Sequence, residues 1–231
     1  MPLAGRSTTS RRTVASFAAW TLGAWAAFAP TCGAAREPAS APERAEAARL
    51  MNELMTGAGP IGGPFQLTDQ KGRRAGPAQW RGKWVLMYFG YTSCPDACPT
   101  DLSSIAAAIA TLGADGDGVQ PVFVTLDPQR DTPSMLAAYV RNFNPRFVAL
   151  GGTEQEIRRV ALSYKVYYEK VARPGSDDYV IDHTSFTYVL NAAGQYAGYF
   201  PPGTSGERIA AQLRTLLPAA HAHSNRDSKL P

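Results

Sequence analysis

Continuous apolar runs alternate with amphipathic segments through the central part of the chain. Residues 84–89 and 121–126 are apolar almost without interruption, which is typical of strands covered on both faces of a parallel sheet. Residues 102–112 are rich in alanine, with larger apolar residues at helical spacing. Thr132 and Pro133 open a further helix, since proline is favoured in the first turn. The pattern therefore predicts a strand–helix–strand–helix order.

Weaker patterns extend this order on both sides. Thr153 and Glu156 form a capping box ahead of a helix, and a last helix is predicted from Gly206 to about residue 217. Residues 186–190 and 196–200 flank a polar turn and predict an antiparallel hairpin. Further strand-like or extended segments are predicted at residues 65–68, where an N-terminal hairpin begins, and at 147–150 and 166–168.

The order of these elements favours an α/β fold. It matches a thioredoxin-like layer, in which helices flank a central mixed sheet, here with an added N-terminal hairpin. Periodicity alone leaves other two- and three-layer α/β folds open. We predict that this domain spans residues 60–217. Residues 36–59 are predicted to be a linker with a short helix, and residues 218–231 a disordered polar tail.

Composition supports a folded domain and argues against a polyanionic partner. Hydrophobic residues make up 45% of the chain, which is enough for a buried core. The formal net charge of +4 arises mainly from Arg6, Arg11 and Arg12, which lie where there is no acidic residue. Beyond residue 35, 20 basic residues face 19 acidic ones. We therefore predict no nucleic-acid binding.

Residues 1–35 have the order of an export signal. Arg11 and Arg12 precede a mostly apolar run at 14–29, and small residues follow. The arginine pair is compatible with twin-arginine export. As a helix the run would be about 24 Å long, short of the ~30 Å hydrocarbon core, so we favour a cleaved signal over a retained membrane anchor. Lipidation of Cys32 is a less favoured alternative. Each reading predicts an exported protein on the periplasmic side.

Two cysteines carry the candidate chemistry. Cys94 and Cys98 lie between a predicted strand and a predicted helix, where i, i+4 spacing puts them on one face, one turn apart. The start of a helix favours the thiolate form. Such a pair can exchange disulfides or bind a soft metal ion. Two cysteines are too few for a disulfide framework, although a single structural disulfide, or two buried small side chains, remains an alternative.

One histidine can complete a metal site in the predicted domain. His221 and His223 lie in the predicted tail, which leaves His183. Structural zinc normally takes four protein ligands, which this domain cannot readily supply from cysteine and histidine. Two sulfurs and one imidazole nitrogen suit Cu(I), and Cu(II) with help from water or a carboxylate. A lone histidine, however, is more often a surface or core residue than a ligand.

Three aspartates are candidates for tuning such a site. Asp182 precedes His183 and can orient its ring or simply end a loop. Asp127 and Asp131 follow a predicted parallel strand, and the carboxyl ends of parallel strands converge at one edge of a sheet. Their plain alternatives are a turn and a helix cap.

Several stretches of the chain resemble the Sco/SenC family. The clearest are Tyr-Phe-Gly-Tyr-Thr-Ser-Cys-Pro-Asp-Ala-Cys-Pro and Tyr-Val-Ile-Asp-His-Thr. The matching segments, in the family's order, are residues 62–65, 88–99, 127–133, 164–168, 179–184 and 198–200. Together they cover most of the chain from about residue 60 to 217.

The resemblance implies a thioredoxin-like fold with copper bound by Cys94, Cys98 and His183. It also implies a role for the aspartates of the Asp-Pro-x-Arg-Asp segment, with Asp127 the better candidate for tuning the site. The implied partner is the copper-accepting subunit of cytochrome c oxidase, whose dinuclear copper centre would receive copper or be kept reduced. Family members are usually tethered to the membrane. The upstream copper donor is not implied.

Three functions therefore compete. A copper metallochaperone needs both cysteines and His183. A thiol–disulfide reductase acting on the copper-ligating cysteines of the same target needs Cys94 and Cys98 as a redox pair, but not the histidine. A thiol peroxidase is a third class, although the cysteine loop does not particularly resemble that chemistry. An inert structural disulfide is the alternative without function.

Overall fold

A seven-stranded mixed sheet forms the centre of the protein. A computed structural model of the chain describes residues 40–173, 175–176 and 178–217. The strands are β1 Leu67–Asp69, β2 Arg74–Ala75, β3 Trp84–Gly90, β4 Val119–Thr125, β5 Val148–Gly151, β6 Tyr168–Ala172, β7 Tyr179–His183, β8 Thr187–Leu190 and β9 Tyr196–Phe200. The order in the main sheet is β2-β1-β5-β4-β3-β8-β9. Strands β6 and β7 pair only with each other in the described chain and form a separate antiparallel arm, called here the β6–β7 arm.

The central strands of the sheet follow the apolar runs of the sequence. Strand β3 lies parallel to β4 and antiparallel to β8, and β4 lies parallel to β5. Residues 85–90 of β3 and 121–125 of β4 are buried without interruption, as expected when both faces of a strand are covered. The thioredoxin-like α/β class predicted from the element order is confirmed.

Five α-helices accompany the sheet in the described residues. They are α1 Ala41–Thr56, α2 Ala97–Leu112, α3 Pro133–Arg141, α4 Glu154–Ser163 and α5 Gly206–Leu216, with short 3₁₀ segments at Pro77–Trp80 and Gly113–Gly118. The predicted capping box at α4 is present, and the Thr132 side chain caps α3 by accepting from the Met135 amide. No helix in the described ranges has the length and apolarity needed to cross a bilayer.

Helices α2 and α5 pack closely at a glycine. A Cβ atom added to Gly206 would lie 2.7 Å from the Ala107 Cβ and 2.8 Å from the Ser104 carbonyl oxygen. These distances are too short for a real contact, so the first turn of α5 can reach α2 only because residue 206 has no side chain.

Two elements differ from the sequence prediction. Helix α1 occupies most of the segment predicted to be a linker with a short helix, because Ser40 and Glu43 cap each other's backbone amides and start the helix early. Strand β7 was not predicted, since most of its residues are only half-buried and present neither a continuous apolar run nor a clear alternation. Residues 1–39, with the predicted export signal, and 218–231, with His221 and His223, lie outside the described ranges, so nothing in the structure tests what the sequence predicts for them.

Candidate metal centre

The cysteine loop, residues 91–96, joins the carboxyl end of β3 to helix α2. Cys94 lies in this loop and is half-buried, whereas Cys98 is in the first turn of α2 and is fully buried. The Asp96 side chain at the helix start makes no capping hydrogen bond. Instead, the Cys98 backbone amide donates to the Cys94 sulfur across 3.4 Å. The Cys94 sulfur thus takes the place of a capping acceptor, where helix N–H groups favour a negative charge.

His183 comes to the same place from the β6–β7 arm. It is the last residue of β7, and its Nε2 atom lies 3.6 Å from the Cys98 sulfur. Its Nδ1 atom lies 3.1 Å from the Thr184 carbonyl oxygen. A carbonyl can only accept, so Nδ1 carries the proton and Nε2 faces the sulfur with a free lone pair. This is the tautomer that a metal ligand requires.

The three side chains form one cluster that fits a soft metal ion. One donor atom from each of Cys94, Cys98 and His183 lies within 4.8 Å of the others. Three donors at ordinary metal–ligand distances of about 2.0–2.3 Å are spaced by roughly 4 Å, so closure of about 1 Å would bring them onto one ion. Two sulfurs and one imidazole nitrogen form a donor set that favours Cu(I).

The two cysteines titrate as an unequal pair. The pKa of Cys94 is lowered to about 3, because its sulfur accepts a hydrogen bond from the Cys98 thiol and further ones from backbone amides. The pKa of Cys98 is raised by the same hydrogen bond, by burial and by the negative charge on Cys94. At neutral pH the half-buried Cys94 is therefore a thiolate, and the buried Cys98 is a thiol that shares its proton with the Cys94 sulfur through a hydrogen bond.

Comparison with known proteins identifies the family. The sequence profile of SCO1/SenC matches residues 54–218. The chain belongs to the SCO1/SenC family. The resemblance stated from the sequence motifs is therefore confirmed.

Individual relatives in this family are similar over most of the described chain. A SCO2-like protein of Rickettsia prowazekii (strain Madrid E) is 43% identical over 150 residues, which cover 64% of this chain and 73% of the relative. A mitochondrial SCO2 homolog of Homo sapiens is 38% identical over 182 residues, which cover 76% of this chain and 68% of the relative. The structure of Bradyrhizobium japonicum ScoI with copper bound is 41% identical, covers 67% of this chain and 98% of that one, and superposes with a TM-score of 0.62.

A missing side chain makes room for the buried sulfur of this family member. A Cβ atom at Gly90 would lie 2.8 Å from the Cys98 sulfur, 3.0 Å from the Tyr88 ring and 3.1 Å from the Phe123 ring. Gly90 ends β3 directly below the cysteine loop. Only glycine leaves the sulfur in its present position, and nothing in the local sequence signals this requirement, because the atoms come from three different elements.

Tyrosines surround the imidazole and the buried sulfur. The rings of Tyr88 and Tyr91 meet the His183 ring edge-on, with centroids 6.2 and 6.1 Å away. Burial, together with the neighbouring Cys98 sulfur, raises the pKa of Tyr88. Its hydroxyl lies near the Ser185 hydroxyl, the Asp101 carboxylate and this sulfur. A hydroxyl donor is thus held beside a metal-binding atom.

The predicted carboxylates reach the cluster indirectly. Asp131 is buried and accepts hydrogen bonds from the Thr92 amide, at the start of the cysteine loop. Asp127 is buried and accepts from the Tyr179 hydroxyl at the start of β7. Asp182 is half-buried and lies beside His183 on β7. Asp131, which the sequence placed near the site together with Asp127, contacts the cysteine loop, although the family resemblance favoured Asp127 as the tuning residue. The roles of Asp127, Asp131 and Asp182 in tuning the site remain predictions.

Proposed function

We propose that the protein is a copper metallochaperone that holds one copper ion between Cys94, Cys98 and His183. Its target would be the copper-accepting subunit of cytochrome c oxidase, where the dinuclear copper centre is assembled. The observation that carries the proposal is the convergence of three soft or borderline donor atoms, from two distant segments, within 4.8 Å. The copper-bound B. japonicum ScoI, 41% identical to this chain, supports copper as the cargo.

The protonation of the pair suggests how the cargo is taken up. The half-buried Cys94 thiolate is the first donor that an incoming Cu(I) meets, because no proton has to leave it. Binding of the second sulfur releases the Cys98 proton, which the shared hydrogen bond holds until then. The imidazole follows through Nε2, the nitrogen that carries no proton. Copper leaves by the same exposed edge, where an acceptor thiolate can replace Cys94 or His183 before it replaces the buried Cys98.

The ligand set is tested by metal analysis and X-ray absorption on the reduced, copper-loaded protein. We expect about one copper per chain with two sulfurs and one nitrogen in its first coordination sphere. His183→Ala should remove the nitrogen and weaken binding strongly, while Cys94→Ser and Cys98→Ser should each remove one sulfur. Unchanged stoichiometry and ligation in His183→Ala would count against the proposal.

A second function, thiol–disulfide reduction of the same target, is favoured by the unequal pair. The Cys94 thiolate would attack a target disulfide and form a mixed disulfide, releasing one target thiolate. Cys98 would then lose its proton and attack the Cys94 sulfur, which releases the second target thiolate and leaves a Cys94–Cys98 disulfide. Two electrons pass from this chain to the target, and an external thiol reductant must restore the pair.

The reductase function predicts a different pattern of variants. Disulfide reduction should survive in His183→Ala and vanish in Cys94→Ser, because only the sulfurs take part in electron transfer. A combination of lost copper binding and retained reductase activity in His183→Ala would show that one site performs two separable functions.

The export assignment is also a proposal. A relative is named as mitochondrial, and residues 1–35 have the order of an export signal. We infer that the domain works on the periplasmic side or its mitochondrial equivalent, either released or anchored by its N-terminus. A β-lactamase reporter fused after residue 39 should confer ampicillin resistance in a bacterial host. Arg11→Lys with Arg12→Lys should abolish this resistance if the twin-arginine route is used. If the reporter stays inside the cell both with the native arginines and with the two replaced, export is contradicted.

A further inference from the structure

The metal ligands come from two elements that are not part of one sheet. Cys94 and Cys98 follow β3 of the main sheet, whereas His183 belongs to the β6–β7 arm, whose strands pair only with each other in the described chain. The chain enters β8 of the main sheet at Thr187, four residues after His183, and Thr187 pairs with Tyr88 of β3. The main sheet therefore holds the segment that follows His183, whereas the start of β7 is held by other contacts.

Asp131 holds the cysteine loop. Its side chain is 4% exposed, and its Oδ2 atom accepts from the Thr92 amide at 3.1 Å and the Thr125 hydroxyl at 2.5 Å. Its Oδ1 atom accepts from the Thr92 hydroxyl at 2.5 Å. Thr92 lies two residues before Cys94, and Thr125 is the last residue of β4. One carboxylate thus fixes the start of the loop to the end of β4.

Asp127 and Arg130 hold the first residue of β7. The Asp127 carboxylate accepts from the Tyr179 hydroxyl at 2.8 Å and pairs with the Arg130 Nε atom. Arg130 also donates to the Tyr179 carbonyl oxygen at 3.1 Å and places its guanidinium 3.7 Å from the centre of the Tyr179 ring. A further bond of 2.7 Å joins Arg130 to Asp178. Tyr179 is therefore fixed at its hydroxyl, its ring face and its backbone.

Both attachments belong to one short, internally bonded segment. The Asp131 amide donates to the Asp127 carbonyl oxygen at 2.9 Å, and the Leu126 amide donates to the Gly90 carbonyl oxygen at 2.7 Å. The segment is thereby tied to the end of β3 as well. From Tyr179, β7 pairs along its whole length with β6, until His183 lies opposite Tyr168. A fully paired strand transmits the position of its first residue to its last.

We propose that residues 127–131 act as a bracket that positions the two halves of the copper site independently, Asp131 through the cysteine loop and Asp127 with Arg130 through β7 and His183. The inference rests on the proposed copper function. These are positioning residues, since their contacts end on Thr92 and Tyr179 rather than on the metal-binding atoms. The bracket explains why an arginine stands between two aspartates in this segment: it carries the contacts to the arm.

Two matched variants separate the halves of the bracket. Thr92→Val removes the hydroxyl that donates to Asp131, and Tyr179→Phe removes the hydroxyl that donates to Asp127. Each is measured in the full-length protein and in a His183→Ala background, with Cu(I) affinity read by competition with a chromogenic chelator. Tyr199→Phe is the control, because its hydroxyl contacts Met55 instead.

We expect each variant to weaken Cu(I) binding about 3- to 10-fold in the otherwise native protein, the size expected for one hydrogen bond. In the His183→Ala background the effect of Tyr179→Phe should disappear, because it acts only through the imidazole, while that of Thr92→Val should remain. Tyr199→Phe should bind like the native protein. Equal losses for Tyr179→Phe in both backgrounds, or no loss in either, would overturn the bracket.

A copper-independent measurement keeps the bracket separable from the proposed function. Hydrogen exchange without metal should speed up at residues 179–183 in Tyr179→Phe, and at 91–98 in Thr92→Val, with each variant leaving the other segment unchanged. A native protein that binds no copper would end the metallochaperone proposal, yet this exchange pattern would still decide the bracket. Faster exchange in both segments of both variants would indicate general loosening and refute independent positioning.

Discussion

At the scale of single residues, the proposed copper site includes groups whose hydrogen-bond partners would change on metal binding. The Tyr88 side chain is fully buried, and its hydroxyl lies near the Ser185 hydroxyl, the Asp101 carboxylate and the Cys98 sulfur. While Cys98 is a thiol that donates to Cys94, it is a poor acceptor. If copper displaces its proton, the sulfur becomes a thiolate, which is a stronger acceptor for the Tyr88 hydroxyl.

Removal of this hydroxyl should therefore weaken copper binding while sparing the fold. We expect Tyr88→Phe to lower Cu(I) affinity about tenfold, the effect of one hydrogen bond to a charged acceptor. Tyr164→Phe is the matched control, since its hydroxyl is also buried, but its ring packs against Phe65 and Phe89. Chelator competition on the three proteins checks the difference. Equal affinities for all three would refute the role of Tyr88.

The pKa values of the pair make a prediction about pH. Because the pKa of Cys94 is lowered to about 3, its thiolate fraction stays near one as the pH falls from 8 to about 4. Only the thiolate reacts with iodoacetamide, so the alkylation rate should be nearly flat over this range and fall as the pH approaches 3. Cys98 should contribute little, since its pKa is raised.

A variant of the partner cysteine tests the cause of this shift. Cys98→Ala removes the thiol that donates to Cys94, the largest contribution to the lowered pKa. Alkylation of Cys94 should then become pH-dependent at higher pH than in the native protein. A native rate that already falls between pH 9 and 7, as for an ordinary thiol, would contradict the assignment of Cys94 as the thiolate.

At the scale of elements, the fold was predictable wherever one segment carries its own signal. The buried strands β3 and β4 appear in the sequence as continuous apolar runs. The start of α3 is indicated by Pro133, and that of α4 by the Thr153 capping box. Strand β7 lacks such a signal because it pairs outside the main sheet. The packing of the Cys98 sulfur against Gly90 and the hydrogen bond from the Thr92 amide to Asp131 could not be predicted either. Each depends on residues that come close only after folding.

The contact between α2 and α5 gives a stability prediction for these elements. Gly206→Ala should destabilise the fold by about 1–3 kcal/mol, the usual cost of overpacking, because the new Cβ would overlap Ala107 and the α2 backbone. Gly118→Ala is the control, as its Cβ would find an ordinary 3.5 Å contact with Leu217. Denaturant unfolding of both variants measures the difference. Equal stabilities would show that the two helices separate without cost.

At the scale of the whole molecule, copper bound at the proposed site would join parts of the chain that lie far apart in sequence. Cys98 and His183 are separated by 85 residues. Cys98 lies in the first turn of α2, whereas His183 is the last residue of β7 in the β6–β7 arm. A ligand that binds only the folded state stabilises it by about 2.7 kcal/mol at a hundredfold excess over its dissociation constant. When that ligand also bridges two elements, the gain should include restricted motion of both, the arm among them.

Copper should therefore protect the arm from hydrogen exchange only when the imidazole takes part. In the native protein, Cu(I) should slow amide exchange in both β6 and β7 and raise the melting temperature. His183→Ala should still bind some copper through its two sulfurs, so the cysteine loop should gain protection while the arm does not. Because the same ion is present in both samples, the difference isolates the bridge from metal binding itself. Equal protection of the arm in His183→Ala would mean that the two cysteines alone carry the cargo and that the arm contributes no ligand to it.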